Sequence, residues 1–162
     1  MNKILIVYYS QANGNTRRIA QMIQQVHGYD IFEIKTVKPY TGSYEEIVDR
    51  GRWEVNNKYE PEIYDVNIDL SQYSTIILGT PTWWYTMAPA MLTFIKSVDW
   101  INKTIIPFQT HGGWPGHGID DIKKLCKGAK FEKEKAIQFD SNGGNQLITS
   151  EKEIKEWIDQ LV

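Results

Sequence analysis

The N-terminal segment of the chain joins an apolar run to a short polar loop and the start of a helix. Six consecutive apolar residues at positions 4–9 predict a strand buried on both faces, as in parallel α/β sheets. From Thr16 onward, apolar side chains recur at helical spacing, which predicts a helix with one buried face. The first turn of a helix has N–H groups without helical partners and a partial positive charge. A strand, loop and helix start in this order therefore predict an anion-binding site.

The polar residues of this loop indicate which anions it suits. Ser10, Asn13, Asn15 and Thr16 add hydroxyl and amide donors that a phosphate can share. The loop contains no Gly-x-x-x-x-Gly-Lys-Ser/Thr motif, which excludes the phosphate loop of nucleoside triphosphatases. It also lacks Gly-x-Gly-x-x-Gly, which argues against a dinucleotide-binding loop. An ordinary polar turn capped by Thr16 is the alternative interpretation.

The run at positions 10–16, which opens the first helix, resembles the phosphate loop of the flavodoxin family. Members of that family bind flavin mononucleotide (FMN). The loop is one residue longer here than in the common form, so the resemblance leaves open which of Gln11, Ala12 and Asn13 supplies donors. Arg17 is a further candidate for reaching a bound phosphate.

The whole chain has the size and charge of an ordinary globular domain. Its 162 residues are expected to form one domain, residues 1–162. The formal net charge of −2 gives no basic surface for nucleic acid or an anionic membrane, and no apolar run is long enough to span a bilayer. The chain enters its first strand at once and contains a single cysteine, Cys126. These features predict a cytoplasmic protein without a signal peptide or an internal disulfide.

Four further pairs of strand and helix are predicted behind the first. The strands are expected at positions 31–35, 75–79, 104–110 and 136–139, and positions 52–72 are expected to be a surface loop. Capping boxes at Ser43 and Ser150, and Pro89, mark helix starts. Pro107 lacks the N–H that a sheet ladder uses, so we expect a local irregularity beside it. Alternating strands and helices predict an α/β fold with a parallel sheet covered on both faces.

The segment Thr80–Met87, after the third strand, carries the adjacent aromatic residues Trp83, Trp84 and Tyr85. Parallel sheets bind ligands outside the carboxyl ends of their strands, where this segment lies. One ring could fill space under a helix, but neighbours in a loop cannot all point in one direction. We therefore expect at least one of them to stack on the flat ring system of a flavin. Which ring stacks is left open.

The segment at positions 110–118, after the fourth strand, contains four glycines. Glycine lets the backbone approach a ligand closely and aim N–H groups at it. Gly112 and Gly113 suit the pyrimidine edge of a flavin, and Trp114 suits an open side of the ring. A flexible turn with an exposed Trp is the alternative. His111 and His117 are candidates for tuning a reduced flavin, with a solvated side chain as the alternative for each.

Together the three segments resemble the flavin loops of short-chain flavodoxin-like proteins along almost the whole chain. The resemblance implies a doubly wound α/β fold with a five-stranded parallel sheet of order 2-1-3-4-5, helices on both faces, and non-covalently bound FMN. The FMN-binding residues that it implies are Ser10, Gln11, Asn13, Gly14, Asn15, Thr16, Arg17, Thr80, Pro81, Thr82, Trp83, Trp84, Tyr85, Thr110, His111, Gly112, Gly113 and Trp114. No catalytic residue is assigned, and no metal site is expected, because no His, Cys and carboxylate group has ligand spacing.

The charge of the chain bears on its role. Carrier flavodoxins are typically very acidic, because a negative rim steers basic redox partners. This chain is nearly neutral. We therefore expect an FMN-dependent oxidoreductase that uses NAD(P)H to reduce a quinone or similar small aromatic acceptor. The alternatives are an electron carrier for a redox protein and a non-redox flavin-binding interaction domain, and a homodimer is compatible with each.

Overall fold

The computed structural model describes residues 3–11 and 13–161, so Ala12 of the predicted phosphate loop lies outside the described residues. The strands are β1 (Lys3–Tyr9), β2 (Asp30–Ile34), β3 (Tyr73–Trp83), β4 (Thr86–Met87), β5 (Thr104–His111), β6 (Lys130–Phe131) and β7 (Lys135–Gln138). The α-helices are α1 (Asn15–His27), α2 (Tyr44–Asn56), α3 (Pro89–Lys96), α4 (Gly118–Leu125) and α5 (Glu151–Asp159), and a 3-10 turn spans Leu70–Gln72.

The sheet has a parallel core whose strands lie in the order β2-β1-β3-β5, with β6 and β7 both paired to the outer edge of β5. With β5 as the fourth strand, and β6 and β7 together as the fifth, this is the predicted order 2-1-3-4-5. The α/β fold class and the parallel sheet are therefore confirmed.

The fifth strand is interrupted beside Pro107. β6 pairs with the start of β5 and β7 with its end, so residues 132–134 between them lie opposite Ile106 and Pro107. The carbonyl oxygens of Ile105 and His111 accept hydrogen bonds from this side, at 3.1 and 2.8 Å. Because backbone groups alternate along a strand, Pro107 faces the same side. Its missing N–H thus coincides with the break, and the predicted irregularity is confirmed.

The two faces of the sheet pack against different helices. Leu5, Val7 and Tyr9 of β1 belong to a core formed with α3 and α4, whereas Ile6 and Tyr8 belong to a core formed with α1 and α5. This alternation along one buried strand is the reason that its sequence is apolar throughout. The prediction of helices on both faces is confirmed.

The helix starts follow their sequence signals. The hydroxyl oxygens of Ser43 and Ser150 each accept a hydrogen bond from the backbone N–H three residues later, at 3.1 Å, and Pro89 is the first residue of α3. The predicted surface loop at positions 52–72 is wrong in its first part, because α2 continues to Asn56. Burial of Glu54 at 3% exposure explains the extension, since that carboxylate bonds to the Tyr40 hydroxyl before the helix and to Arg50 one turn earlier in it.

The predicted loop at Thr80–Met87 is instead a β-hairpin. β3 continues to Trp83 and pairs with β4, with Thr82 opposite Met87 and Trp83 opposite Thr86. Trp84 and Tyr85 form the two-residue turn with φ angles of 51° and 69°. Such turns favour Asn and Gly, because bulky residues tolerate positive φ poorly. The hairpin therefore holds two aromatic residues in a strained conformation at its tip.

Candidate functional site

Four connections meet at the carboxyl edge of the sheet, and hydrogen bonds join them. The Thr16 hydroxyl, in the first turn of α1, lies 2.9 Å from the Thr110 hydroxyl at the end of β5. The Asn15 side-chain amide donates to the carbonyl oxygen of Gly144, after β7, at 2.9 Å. The N–H of His117 donates to the carbonyl oxygen of Tyr85 at 2.7 Å. The structure thus brings the three predicted segments together, with a fourth that the sequence analysis missed.

The loop after β1 wraps tightly onto the start of α1. Gly14 precedes the helix in the left-handed conformation with φ 73°, and its N–H donates to the carbonyl oxygen of Gln11 at 3.2 Å. The Ser10 hydroxyl oxygen accepts a hydrogen bond from the N–H of Arg17 at 3.1 Å. Thr16 is buried within the first turn and does not cap the helix, so the capped-turn alternative is wrong in that detail.

The start of α1 retains the electrostatics of an anion site. Helix geometry leaves the N–H groups of Asn15 and Thr16 without intrahelical partners, and the first turn contains no acidic residue. The Arg17 guanidinium pairs with the carboxylate of Glu33. Its Nη1 atom nevertheless lies only 3.3 Å from the position that a Cβ would take on Gly14, so this cation adjoins the loop.

The fourth connection, residues 140–146 after β7, is held to the connection after β1 through its backbone carbonyl oxygens. The side-chain amides of Asn13 and Asn15 donate to the carbonyl oxygens of Gly143 and Gly144. The Asp140 carboxylate accepts hydrogen bonds from the N–H groups of Gly144 and Gln146, both at 2.8 Å, and its pKa is lowered by these backbone donors. The run of Asp, Ser, Asn and Gly at positions 140–145 was the available signal, because these residues favour a tight turn after a strand.

Within the hairpin, the aromatic rings occupy different surroundings. The Trp83 ring packs edge-on against Tyr9 and Tyr40, with centroids 6.0 and 5.0 Å apart. Trp84 is 43% exposed, with the Arg52 guanidinium 5.0 Å from its ring centroid. Tyr85 is 55% exposed. Trp83 is thus an integral part of the hairpin's packing, whereas the two residues at the tip present open ring surface.

The remaining hairpin residues of the predicted site brace the strand end. The Thr80 hydroxyl is buried and accepts a hydrogen bond from the N–H of Ala88 at 3.0 Å. The Thr82 hydroxyl donates to the side-chain oxygen of Gln109 at 3.0 Å. Pro81 lies opposite Thr110 in the ladder with β5. These contacts hold the base of the hairpin against β5.

A buried carboxylate, which the sequence analysis did not identify, bonds to the tyrosine that packs against Trp83. The Glu54 carboxylate accepts hydrogen bonds from the Tyr40 hydroxyl and from Nε of Arg50, the latter at 3.0 Å. The Arg50 guanidinium carbon lies 3.8 Å from the Tyr40 ring centroid. Burial raises the pKa of Tyr40, and the Glu54 carboxylate raises it further. The i,i+4 spacing of Arg50 and Glu54 was the only sequence signal.

The glycine-rich loop after β5 is hydrogen-bonded at its start and exposed to solvent further along. The Gly113 N–H donates to Nδ1 of His111 at 3.0 Å, and burial lowers the pKa of His111. Gly112 lies against the fourth connection, where an added Cβ would come within 3.2 Å of the Asp140 carbonyl oxygen. Trp114 is 61% exposed. His117 bonds to the carboxylate of Asp121 at 2.5 Å.

A flavodoxin family model matches residues 3–161. The chain belongs to the flavodoxin family. No curated protein matches the sequence. None of the helices described for this flavodoxin-family chain is long and apolar enough to cross a membrane. Residues 3–11 and 13–161 contain no group of three or more His, Cys, Asp or Glu residues that could hold a metal ion.

Three of the solved structures similar to this flavodoxin-family chain are bacterial flavoproteins. A candidate flavoprotein from Bacteroides uniformis is 27% identical, with a TM-score of 0.80, over 98% of this chain and 99% of that chain. One from Bacteroides eggerthii is also 27% identical, with a TM-score of 0.77, over 98% and 97%. A flavoprotein from Lactobacillus acidophilus in complex with FMN is 24% identical, with a TM-score of 0.72, over 84% and 93%.

Proposed function

We propose that this flavodoxin-family protein binds one FMN non-covalently and acts as an oxidoreductase, using NAD(P)H to reduce a quinone or similar small acceptor. The observation that carries the proposal is the donor set at the start of α1, in a chain of this family. The similar Lactobacillus acidophilus flavoprotein, solved in complex with FMN, supports the choice of cofactor.

The phosphate of FMN fits the loop after β1. The N–H groups of Asn15 and Thr16, which have no intrahelical partners, suit a dianionic group together with the helix dipole. The Ser10 hydroxyl accepts a hydrogen bond from Arg17, so its own hydrogen stays available to a phosphate oxygen. The Arg17 guanidinium, which is paired with Glu33, adds N–H donors beside Gly14. Among the described residues, the first turn of α1 contains no carboxylate that would repel a phosphate.

The sugar-like chain of FMN fits a second feature of the same loop. Oδ1 of Asn15 is buried and has no hydrogen-bond partner among the described residues. A phosphate has no hydrogen to give at neutral pH, but the hydroxyl groups of the ribityl chain do. A buried acceptor without a donor costs about 1–3 kcal/mol, so a ligand hydroxyl at this atom would offset that cost.

The ring system of FMN would be held by the hairpin tip and the glycine-rich loop. Trp84, Tyr85 and Trp114 offer exposed aromatic surface, and Gly112 offers backbone approach where a side chain would clash. When bound, FMN would supply two-electron redox chemistry, in which NAD(P)H would lose a hydride to become NAD(P)⁺ and the acceptor would gain two electrons and two protons, one of the protons from solvent. The protein residues orient the ring and leave one side open.

The charges near these loops favour an enzyme over a carrier. A carrier needs unpaired negative charge around the flavin to steer a basic partner. Here Glu33 pairs with Arg17, and Asp121 bonds to the Thr86 hydroxyl and to His117. Arg52 lies over Trp84 at the hairpin tip. This arrangement supports a small-molecule acceptor.

The test is a two-stage titration. Apo-protein is first titrated with FMN, and we expect binding at micromolar protein with quenched flavin fluorescence. The complex is then mixed with NADH or NADPH without oxygen, and we expect the visible flavin absorbance to bleach and to return when a quinone is added. Absence of FMN binding would overturn the proposal, and bleaching only with an added reductase protein would support the carrier instead.

A further inference from the structure

A groove lies beside the proposed flavin site, on the side of the hairpin that faces α3 and α4. Its volume is about 630 Å³, within the range of roughly 300–1,000 Å³ typical of small-ligand sites. Its walls are the end of α2 with the following residues, one side of α3, the hairpin, and α4. Nothing in the proposed binding of FMN uses this space.

One end of the groove borders the proposed flavin site. Trp84 and Thr86 of the hairpin and His117 before α4 line this end. Trp84 is also one of the rings offered to the flavin, so an occupant here would lie next to the cofactor. The Tyr59 ring and the aliphatic Leu92 and Leu125 side chains add apolar surface.

The other end of the groove carries lysines. Lys96 and Lys124 lie about two turns along α3 and α4 from Pro89 and His117, a separation of about 10 Å along each helix. Lys58, just beyond α2, is the third lysine of the lining. The groove thus runs from an aromatic end at the hairpin to a cationic end.

The carboxylates of the lining bond to groups other than these lysines. Glu54 is bonded to Arg50, and Asp121 is bonded to Thr86 and His117. Within the described parts of the chain, neither Lys58 nor Lys124 has a carboxylate within ion-pair distance, while Lys96 has an exposed pair with Glu60 at 3.1 Å. An exposed pair of that kind contributes about 0–1 kcal/mol, so an anion could displace it.

Helix dipoles explain only part of this arrangement. Each lysine lies in or just after the last turn of a helix, where a cation offsets the negative end of the dipole. Three helix ends supply about 1.5 negative charges, whereas three lysines supply three positive ones. Among the described residues, Lys58 and Lys124 have no carboxylate partner, so these two lysines carry the charge offered to an anion in the groove.

We propose that this groove binds the phosphate-bearing part of the nicotinamide nucleotide that reduces the protein. The proposal rests on the function proposed above. A dinucleotide combines flat rings with phosphates, which match the aromatic and cationic ends of the groove. Lys58, Lys96 and Lys124 select for the anionic donor, and the aromatic end directs the nicotinamide towards the hairpin.

The test uses oxidised NADP⁺, which binds without turnover, added to FMN-loaded protein in a calorimeter. Lys58→Ala and Lys124→Ala are each expected to weaken NADP⁺ binding about three- to fivefold, with a larger loss for Lys124→Glu. Lys152→Ala is the matched control, because Lys152 is exposed on α5 at the opposite face. Inorganic pyrophosphate should compete with NADP⁺, and added salt should weaken binding less in the lysine variants.

FMN affinity is measured in parallel for every variant, and it should not change. Normal FMN binding with no NADP⁺ binding, or with NADP⁺ binding that is equal in Lys58→Ala, Lys124→Ala and Lys152→Ala, would overturn this inference and leave the cofactor proposal standing. Failure of the unsubstituted protein to bind FMN would overturn both.

Discussion

The backbone N–H of His117 donates a hydrogen bond to the carbonyl oxygen of Tyr85 at 2.7 Å. This bond ties the strained tip of the hairpin to the loop before α4. A second tie lies beside it, where the Asp121 carboxylate accepts from the Thr86 hydroxyl at 2.5 Å. A turn with two bulky residues at positive φ persists only where its surroundings fix it. The clamp therefore sets the position of the aromatic residues proposed to face the flavin.

Gly116→Ala should open this clamp. A Cβ on Gly116 would lie 2.2 Å from the Tyr85 carbonyl oxygen, and its φ of 58° adds strain. We expect the variant to lose about 1–3 kcal/mol of unfolding free energy and to bind FMN more weakly. Thermal or urea unfolding and an FMN titration measure the two effects. Gly28→Ala is the matched control, since Gly28 has φ 70° but no atom within 4 Å of its Cβ position. Equal losses in both variants would show that strain alone matters.

The phosphate loop gives a prediction that separates the two ends of FMN. Ser10→Ala removes the hydroxyl proposed to contact the phosphate, and Thr16→Val removes the hydroxyl that lies 2.9 Å from that of Thr110, beside the N–H groups proposed to bind it. A hydrogen bond to a charged group is worth about 1.5–3 kcal/mol, so FMN affinity should fall roughly ten- to a hundredfold. Riboflavin lacks the phosphate and serves as the control ligand in the same fluorescence titration. A parallel loss of riboflavin binding would point instead to general damage to the loop.

Acid should loosen the fourth connection through Asp140. Hydrogen bonds from the N–H groups of Gln146 and Gly144 lower the pKa of this carboxyl in the folded state. The stabilisation is therefore complete above the unfolded pKa of about 4 and is lost as the pH falls through the lowered folded value. Limited proteolysis at residues 140–146, followed from neutral to acid pH, should show cleavage appearing in this window. Asp140→Asn should abolish the pH dependence, and its persistence there would assign it to another group.

Sequence patterns predicted the parts of this molecule that depend on local physics. The buried strand β1, the capping boxes at Ser43 and Ser150 and the break beside Pro107 all follow from the side chains at those positions. The hairpin could not be predicted in this way, because two-residue turns of this kind usually have Asn or Gly at the positions that Trp84 and Tyr85 occupy. That conformation is imposed by contacts far along the chain.

The candidate site was predictable only where its residues are adjacent in sequence. The loop after β1 could be recognised because strand, loop and helix are adjacent in sequence. The contacts of Asn13 and Asn15 with Gly143 and Gly144 span most of the chain, and no local pattern reports them. Glu54 could not be assigned to a buried position either, since a carboxylate on a polar helix is ordinarily exposed. Long-range pairing of polar groups is thus the part of the site that required the structure.

Trp114 and Trp84 should have separable roles. Trp114 is 61% exposed in the glycine-rich loop, whereas Trp84 lies at the hairpin tip beside Arg52. We expect Trp114→Ala to change the KM for a quinone, or the oligomeric state, more than it changes FMN affinity. Trp84→Ala should instead weaken FMN binding and shift the flavin spectrum, because a stacked ring contributes about 0.5–1.5 kcal/mol beyond its buried area.

The matched control for this pair is Trp53→Ala. Trp53 is 57% exposed on α2 and packs against Tyr59, outside the proposed flavin loops, so its loss should leave the flavin spectrum unchanged. Steady-state kinetics with a quinone, light scattering and an FMN titration on the three variants separate the effects. Release of FMN by Trp114→Ala, with the Trp84→Ala complex intact, would reverse the assignment, since Trp114 would then hold the cofactor and the hairpin tip would face the acceptor.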